Sequence, residues 1–391
     1  MAINFQQVME RIREIGLGAR QRRENLESLR QKTETLLGEW ASRGDELNDK
    51  LDHALRFDST LRCAIPLGDP LDAHFEPVPA SSEVTLVAAD GSQVAPDRHA
   101  SVLFSLVNVG AIIMQPGSDQ APFIQTDSRL LVDDENYTET GMLTLEAIEQ
   151  RRDLAERCKL LDLAKDEPGQ IIALTDGPLE LWGGGEAARD QYLRDLETHK
   201  STLSQLQERG AVVAGYVDKP GASLVLRLLE LTLLSTEEEY KSLRRYHPLR
   251  GVTDLWLFSR LLESGQRSAV FGLQSSARLH YTGELALHFF YLNAGVPRYP
   301  NIVRVEIPKW VADDNSLLNL LHVILLEQCR IMGARPYPYI LHRAHEIAVV
   351  KMDEKNQVQS MLEMELRQSG GEVGEQSSKS SAKALPGRGT R

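Results

Sequence analysis

The N-terminal stretch from Ala2 to about Leu55 places apolar residues at helical spacing among many charged ones. We therefore predict an N-terminal helical arm over residues 1–60, folded as a helical hairpin with breaks at glycines. Two interpretations stay open: a hairpin packed on its own domain, or an arm for dimerisation or partner docking. The most regular part has the three- and four-residue steps of an a/d seam: Leu26, Leu29, Thr33, Leu36 and Trp40.

A proline-rich loop over residues 65–82 separates this arm from the first predicted strand. That strand, Val84–Ala89, is a continuous run of apolar and β-branched residues. Two more strands are predicted over Val102–Met114 and Pro122–Val132, joined by the turn-prone segment 116–119. The chain thus enters its central region with three successive strands.

Helices then alternate with strands. Gly141–Ala164 and Glu186–Arg209 have helical period, whereas Gln170–Thr175 and Ala211–Tyr216 are short apolar runs typical of strands covered on both faces. The order strand, strand, strand, helix, strand, helix, strand predicts a mixed α/β layer structure, because helices alternate with the later strands only.

The C-terminal part mixes helices and strands before a polar end. Almost no large apolar residue occurs from Arg367 to Arg391, which predicts a disordered tail. Ala222–Leu262 is predicted to be mainly helical. Strands are expected at Ser268–Gly272, Leu285–Leu292 and Ile302–Ile307, and helices at Asn315–Met332 and Tyr339–Lys351.

Composition narrows the class of protein. The chain has 391 residues, of which 42% are hydrophobic and 26% charged, so it can bury a sizeable core. Its 44 Lys and Arg oppose 56 Asp and Glu, a net charge of −12. That balance argues against a protein that coats nucleic acid or membranes by bulk electrostatics. It still allows a metal-dependent nuclease, whose carboxylates are neutralised by cations.

The compartment is predicted from cysteines and apolar runs. Cys63, Cys158 and Cys329 lie too far apart for a local zinc cluster or a disulfide framework, and fit a reducing compartment. The N-terminal segment lacks the apolar core of a signal peptide. The longest apolar run, Val102–Met114, is too short to span a bilayer. We expect a cytoplasmic protein with no membrane association.

Two predicted strands run into an Asp-Gly pair, at Asp90 and at Asp176. Ligands in α/β sheets bind outside the carboxyl ends of strands, so an acid there projects into a site. Asp-Gly is also a common tight turn, which is the simpler interpretation of either pair alone. Between them, Glu149, Asp153 and Glu156 share one face of a predicted helix, and a solvated face is their simplest explanation.

An Asp after the first strand, a Glu in the first helix and an Asp after the fourth strand together resemble the ribonuclease H-like fold. The resemblance implies an α/β, ribonuclease H-like mixed sheet with flanking helices over about residues 84–220. The N-terminal hairpin and the C-terminal helices and strands are then additions. It also implies that the three carboxylates meet, which requires a cation. Oxygen ligands favour Mg²⁺ or Mn²⁺, and two such ions can promote phosphodiester hydrolysis.

Four short segments sharpen the resemblance: ADGS at 89–92, TDGPL at 175–179, GYVDKP at 215–220, and the YP and AH pairs between Arg335 and Glu346. In this order they are similar to motifs of the NurA nuclease family. The match covers most of residues 84–350 and implies a NurA nuclease domain over 80–352.

The NurA resemblance also implies an activity and partners. A Mn²⁺-dependent DNA nuclease with a two-metal site is expected, with Mg²⁺ as the alternative ion. It would cut single-stranded DNA and act on duplex ends in the 5′ to 3′ direction. Family members form homodimers and work with a hexameric HerA-type ATPase in DNA end resection and repair.

The same resemblance assigns metal ligands by position. Asp90 and Asp176 match the family's two metal-binding Asp residues. Glu156 best fits the acid between them, since an Arg precedes it by four residues, but Glu149 or Asp153 could hold that role.

Two residues near the C-terminus match the family's Tyr and His. Tyr337 would contact the scissile phosphate, and His345 would bind metal or position the attacking water. His342 lies three positions from His345 on nearly the same helix face and is the competing assignment.

Three basic residues are candidate substrate contacts. Lys219 follows the fifth predicted strand and could pair with phosphate, although a solvated loop lysine is the simpler interpretation. Arg244 and Arg245 lie in Tyr240–Arg250, where mixed basic and aromatic residues suit single-strand contact. A surface ion-pair network explains that segment equally well.

Two rival functions stay open. One is a non-catalytic nucleic-acid-binding or scaffold subunit that keeps the fold without its metal site. The other is RNA cleavage by the same chemistry, which would reverse the preference between ribose and deoxyribose substrates.

Overall fold

The computed structural model describes residues 3–79, 83–138, 141–183, 189–371 and 373–374. The chain divides into two compact units, each described by itself below. Unit 1 consists of Met1–Pro79 and Val217–Leu326, and unit 2 of Ala80–Tyr216 and Glu327–Arg391. Among the described residues, no helix combines the length and apolarity needed to cross a bilayer.

Unit 2 is built on a mixed sheet whose spatial order is β5-β4-β3-β8-β9. β4 is antiparallel to both β3 and β5, whereas β8 is parallel to both β3 and β9. This arrangement confirms the predicted ribonuclease H-like mixed sheet with flanking helices. The strands are β3 (Val84–Val94), β4 (Phe104–Met114), β5 (Phe123–Val132), β8 (Gln170–Asp176) and β9 (Val212–Val217).

Four α-helices belong to the described part of unit 2. The first begins at Leu145 rather than Gly141, because the Thr144 side chain accepts a hydrogen bond from the Ala147 amide and so caps the helix there. Two short strands precede it, β6 (Tyr137–Thr138) and β7 (Gly141–Met142). The helices are α4 (Leu145–Ala164), α5 (Arg189–Glu208), α11 (Tyr339–Ala348) and α12 (Met352–Gln368).

Helix α12 was not predicted, because it has no fully buried residue and therefore shows little apolar periodicity. Val358 and Leu362 nevertheless pack on a buried cluster of Val94, Phe104 and Leu106. The helix includes the first residues of the predicted tail. Most of that tail lies outside the described residues.

The sheet of unit 1 is formed largely by the C-terminal half of the chain. Its antiparallel order is β1-β11-β12-β13, and β10 pairs with both β12 and β2. The strands are β1 (Cys63–Ile65), β2 (His74–Phe75), β10 (Arg267–Ser268), β11 (Phe271–Gln274), β12 (Leu287–Asn293) and β13 (Ile302–Pro308). The first two fall mostly in the predicted loop, since strands of two or three residues leave almost no pattern.

Helices make up the rest of unit 1. The predicted N-terminal hairpin is three helices, because Gly18 separates two of them and residues 41–43 form a second turn. Helix α10 (Asn315–Ile331) carries the chain from unit 1 back into unit 2. The others are α1 (Phe5–Leu17), α2 (Ala19–Trp40), α3 (Gly44–Leu55), α6 (Leu224–Leu231), α7 (Glu237–Lys241), α8 (Asp254–Leu261) and α9 (Lys309–Ala312).

Candidate active site

The two Asp-Gly aspartates lie side by side in the sheet of unit 2. Parallel strands β3 and β8 are in register at Ala89 and Thr175, so the next residues, Asp90 and Asp176, project from the same face. The predicted strand end at Asp90 is wrong. Strand β3 continues to Val94 because it keeps pairing with β4, and Asp90 itself pairs with Gly110.

Gly110 allows helix α11 to lie directly on the sheet. A Cβ at this position would fall 2.5 Å from the Ala348 amide nitrogen and 2.8 Å from the Ala344 carbonyl oxygen. The end of α11 is fixed by two polar strand residues, since Ser92 Oγ and Asn108 Nδ2 both donate to the Ala348 carbonyl. The helix is therefore anchored over the strand that carries Asp90.

This anchoring brings His345 to Asp90. The Nδ1 atom of His345 lies 2.7 Å from Asp90 Oδ2, and no other described polar partner contacts its ring. His342 instead faces Glu346, at 3.6 Å on the same helix. Of the two candidate histidines, the structure places only His345 beside a candidate metal-binding aspartate.

Helix α4 presents its acids next to a glycine of β3. A Cβ on Gly91 would lie 2.6 Å from Glu156 Oε1 and 2.5 Å from Arg152 Cγ, so glycine leaves the room that these side chains occupy. Glu156 is only 4% exposed. Asp153 and Glu156 line one cavity, whereas Glu149 lies outside its lining.

Arg152 connects these groups. Its Nε lies 3.1 Å from Glu156 Oε1, its Nη2 donates to Asp153 Oδ1 at 2.6 Å, and its Nη1 donates to Gln93 Oε1 at 2.8 Å. The guanidinium therefore bridges helix α4 and strand β3 and partly neutralises both helix carboxylates.

A second arginine, Arg157, was missed by the sequence analysis. It is buried, and it donates to the Asp153 carbonyl oxygen at 2.7 Å and to the Pro178 carbonyl oxygen at 2.9 Å. It thereby ties α4 to the segment that follows Asp176. His199 of α5 contacts the next carbonyl, that of Leu179, at 3.0 Å. No sequence motif marks either residue, because each holds a backbone carbonyl of the loop after β8, and such a contact leaves no side-chain pattern.

These side chains enclose one cavity of about 370 Å³ in unit 2. Glycine and proline backbone of the Gly177-Pro178 turn completes its wall. Its ionisable lining consists of four carboxylates, one imidazole and two guanidinium groups: Asp90, Asp153, Glu156, Asp176, His345, Arg152 and Arg157.

Burial sets the charge state of this lining. It raises the pKa of Glu156 to about 8, and the negative charge of Asp153 acts in the same direction, while Arg157 and Arg152 oppose it. Without a further cation, the Glu156 carboxyl therefore holds a proton at neutral pH. A cation near the carboxylates would lower that pKa.

The donor set fits a hard divalent cation. Carboxylate oxygens and one imidazole are ligands that Mn²⁺ and Mg²⁺ accept, and the buried Glu156 lacks enough positive charge to ionise at neutral pH. Within the described residues, no three such groups already stand in a complete metal-binding arrangement. Asp90 contacts His345 instead, and Glu156 contacts Arg152.

The other predicted site residues lie outside this cavity lining. The Tyr337 ring packs edge-on against Tyr216 at 5.5 Å, and Tyr216 is the β9 register partner of Asp176. Tyr337 thus lies one strand away from Asp176.

The three predicted substrate contacts belong to unit 1. Lys219 is exposed, in a left-handed backbone conformation with φ 51° just after β9. Arg244 forms a bidentate ion pair with Asp58, and Arg245 is exposed. Unit 2 by itself brings together Asp90, Glu156, Asp176 and His345.

The family model of the NurA domain matches residues 84–350, which include every residue of this cavity. The chain belongs to the NurA family. Membership in NurA places it among nucleases, as predicted. No curated protein sequence matches it.

Solved nucleases are similar to this NurA protein in fold only. The NurA nuclease from Sulfolobus solfataricus is 14% identical with a TM-score of 0.48, covering 93% of this chain and 98% of its own. The catalytic domain of human Endonuclease V is 13% identical with a TM-score of 0.34, covering 81% and 98%. Ciona intestinalis Endonuclease V, in complex with an inosine-containing DNA, is 14% identical with a TM-score of 0.31, covering 84% and 99%.

Proposed function

We propose that this NurA protein is a divalent-metal-dependent DNA nuclease, with Mn²⁺ the expected ion and Mg²⁺ the alternative. The observation that carries the proposal is the single cavity in which four carboxylates and His345 converge inside the matched domain. Single-stranded DNA and the 5′ ends of duplexes are the proposed substrates, in DNA end processing and repair.

Each candidate catalytic residue has a proposed task. Asp90, Glu156, Asp176 and His345 would hold the cations. When bound, a pair of divalent ions supplies an activated water and neutralises charge on the phosphodiester. His345 is oriented by Asp90 through Nδ1, so its second ring nitrogen can take a proton from the attacking water or bind metal. Tyr337 is proposed to contact the scissile phosphate.

Cleavage of labelled single-stranded DNA in Mn²⁺ tests the proposal. Asp90→Asn and Glu156→Gln should each lower the rate by about a hundredfold or more, because removing a key electrostatic group costs about that much. Glu149→Gln is the matched control, since Glu149 lies on the same helix outside the cavity lining. Intact DNA with the parent protein, or equal rates for Asp90→Asn and parent, would contradict the proposal.

The rival function, a non-catalytic nucleic-acid-binding subunit, has one observation in its favour. Arg152 and His345 already contact carboxylates that would hold the ions. Calorimetric titration with Mn²⁺ separates the two functions. A nuclease should show binding that Asp90→Asn removes, whereas a scaffold should show no carboxylate-dependent heat. Matched ribose and deoxyribose oligonucleotides then test the RNA alternative.

The proposed partners are a second copy of the chain and a hexameric HerA-type ATPase. Helix α1 supports an interaction role for the arm, since it has no buried residue and exposes Phe5, Val8, Ile12 and Ile15 on one face. Light scattering tests the homodimer, and co-purification with such an ATPase tests the second partner.

A further inference from the structure

Unit 1 contains a second charged cavity, of about 580 Å³. We call it the arginine cavity, because four arginines line it against only two acids. Its charged lining consists of Arg62, Arg227, Arg244, Arg250, Asp58 and Glu230. The formal charge of these six side chains is +2, in a chain whose net charge is −12.

Both acids of the arginine cavity already accept hydrogen bonds on both carboxylate oxygens. The Asp58 carboxylate accepts two hydrogen bonds from the Arg244 guanidinium, at 3.0 and 3.1 Å. It also accepts hydrogen bonds from the Thr60 amide and hydroxyl. Arg244 accordingly holds the pKa of Asp58 below its ordinary value. The Glu230 carboxylate accepts a hydrogen bond from Arg227 at 2.6 Å and another from the Leu249 amide at 3.0 Å. Each carboxylate is therefore already paired with one arginine of the lining.

The arginines are consequently not all matched. Arg250 lines the cavity and is exposed, and its side chain has no hydrogen-bonded or ion-paired partner among the described residues. Arg244 uses only Nε and Nη2 on Asp58 and Thr60, which leaves its Nη1 for another acceptor. Guanidinium groups arranged in this way fit phosphate oxygens.

Helix α7, which ends just before Arg244 in the sequence, provides a contrast. Lys241 of α7 lies outside the lining and pairs with Glu238 at 3.2 Å on the exposed surface. Lys241 and Arg244 thus both form ion pairs, but only Arg244 and Arg250 of this segment line the arginine cavity with their guanidinium groups.

We propose that the arginine cavity binds phosphate groups of a single DNA strand, as an anchoring site in addition to the carboxylate cavity. The choice of DNA as ligand rests on the proposed nuclease function. The recognition of phosphate does not rest on that function, since the cavity offers guanidinium donors to any phosphodiester. Such a site would hold a strand locally although the chain as a whole repels polyanions.

Binding of a fluorescent oligo-dT strand to Asp90→Asn protein in a metal chelator tests the site without cleavage. Arg250→Gln should weaken binding about three- to tenfold and reduce the slope of log K against log salt by about 0.7 for one lost single-strand phosphate contact. Arg250→Lys should retain most of the affinity. Lys241→Gln removes the same charge outside the cavity and should change binding less than about twofold.

Two results would overturn the proposal: unchanged affinity in Arg250→Gln, or an equal loss in Lys241→Gln. Titration with inorganic phosphate alone checks the ligand. Phosphate binding that depends on Arg250, combined with strand binding that does not, assigns the cavity to a free phosphate and rejects the strand. Cleavage by the parent protein in Mn²⁺ is scored separately, so failure of the nuclease and failure of the arginine cavity are distinguishable.

Discussion

Glu156 shows, at the scale of one residue, how the site opposes stability. Its carboxyl is buried beside Asp153, and its pKa of about 8 lies far above the ordinary value of 4.5. Because the folded state prefers the protonated form, this residue costs no stability at low pH. The cost grows as pH rises from about 4.5 through 8, the range in which the unfolded chain ionises first.

Because a shift from 4.5 to about 8 is worth several kcal/mol at about 1.36 kcal/mol per pKa unit, we expect Glu156→Gln to raise the melting temperature of the metal-free protein at pH 9 by several degrees. The gain should vanish below about pH 4, where the carboxyl is protonated in the folded and the unfolded chain. Scanning calorimetry in a chelator measures both, and added Mn²⁺ should stabilise the parent but not the variant. Parallel pH profiles would contradict the buried-carboxyl explanation.

His322 gives the opposite pH dependence in unit 1. It is fully buried, its Nε2 lies 2.7 Å from the Gly265 carbonyl oxygen, and burial lowers its pKa to about 4. Its stabilising contribution is complete above the ordinary value of 6.5 and is lost as pH falls through 4.

His322→Gln should keep the hydrogen bond to Gly265 but remove this titration. Its acid denaturation between pH 6.5 and 4 should be flatter by up to about 3 kcal/mol, since each pKa unit corresponds to 1.36 kcal/mol. Urea titrations at several pH values measure the difference.

The sequence predicted the residues that carry chemistry better than those that hold them. Asp90, Asp176 and His345 sit in short motifs, and the structure brings Asp90 and His345 into contact. Arg157 could not be found, because it acts on backbone carbonyls, which leave no trace in side-chain spacing. The Asp58 partner of Arg244 lies 186 residues away and has no pattern that links the two.

At the scale of elements, strand and helix periodicity predicted most of the sheet but not the close approach of α11. Gly110 permits that approach, and the resulting position of α11 places its His345 beside Asp90. Strand β3 also passes through its Asp-Gly pair, since the antiparallel partner β4 continues beyond the end of β8. Pairing with the next strand, β4, decided that outcome, not local turn preference.

Gly110→Ala should therefore destabilise the protein by about 1 to 3 kcal/mol, the usual cost of overpacking, because backbone atoms of α11 would have to shift. We also expect a lower Mn²⁺ affinity, since the shift moves His345 away from Asp90. Chemical denaturation and calorimetry measure the two effects. Gly68→Ala is the control, as its added Cβ meets no atom within 4 Å and should cost less than about 0.5 kcal/mol.

At the scale of the whole molecule, the chain order hides the division into units. The NurA nuclease domain over residues 80–352 stays a prediction, and within it Val217–Leu326 groups with the N-terminal segment in unit 1. Periodicity identifies elements without stating which distant elements they join. All residues proposed for catalysis lie in unit 2.

Deleting residues 1–17 should leave the unfolding temperature within about 2 °C, because helix α1 has no fully buried residue. The mass in solution then distinguishes the two roles of the arm. A fall to the monomer mass indicates dimerisation. An unchanged mass with weaker binding of a HerA-type ATPase indicates docking, and a large loss of melting temperature would show that α1 belongs to the core.

The two segments of unit 2 are separated in the sequence by all of Val217–Leu326. During synthesis, the strands that carry Asp90 and Asp176 leave the ribosome long before His345. A nascent chain therefore has its carboxylates without the imidazole until helix α11 is made. If the proposed activity needs His345, a nascent chain that has not yet made α11 cannot cut nucleic acid.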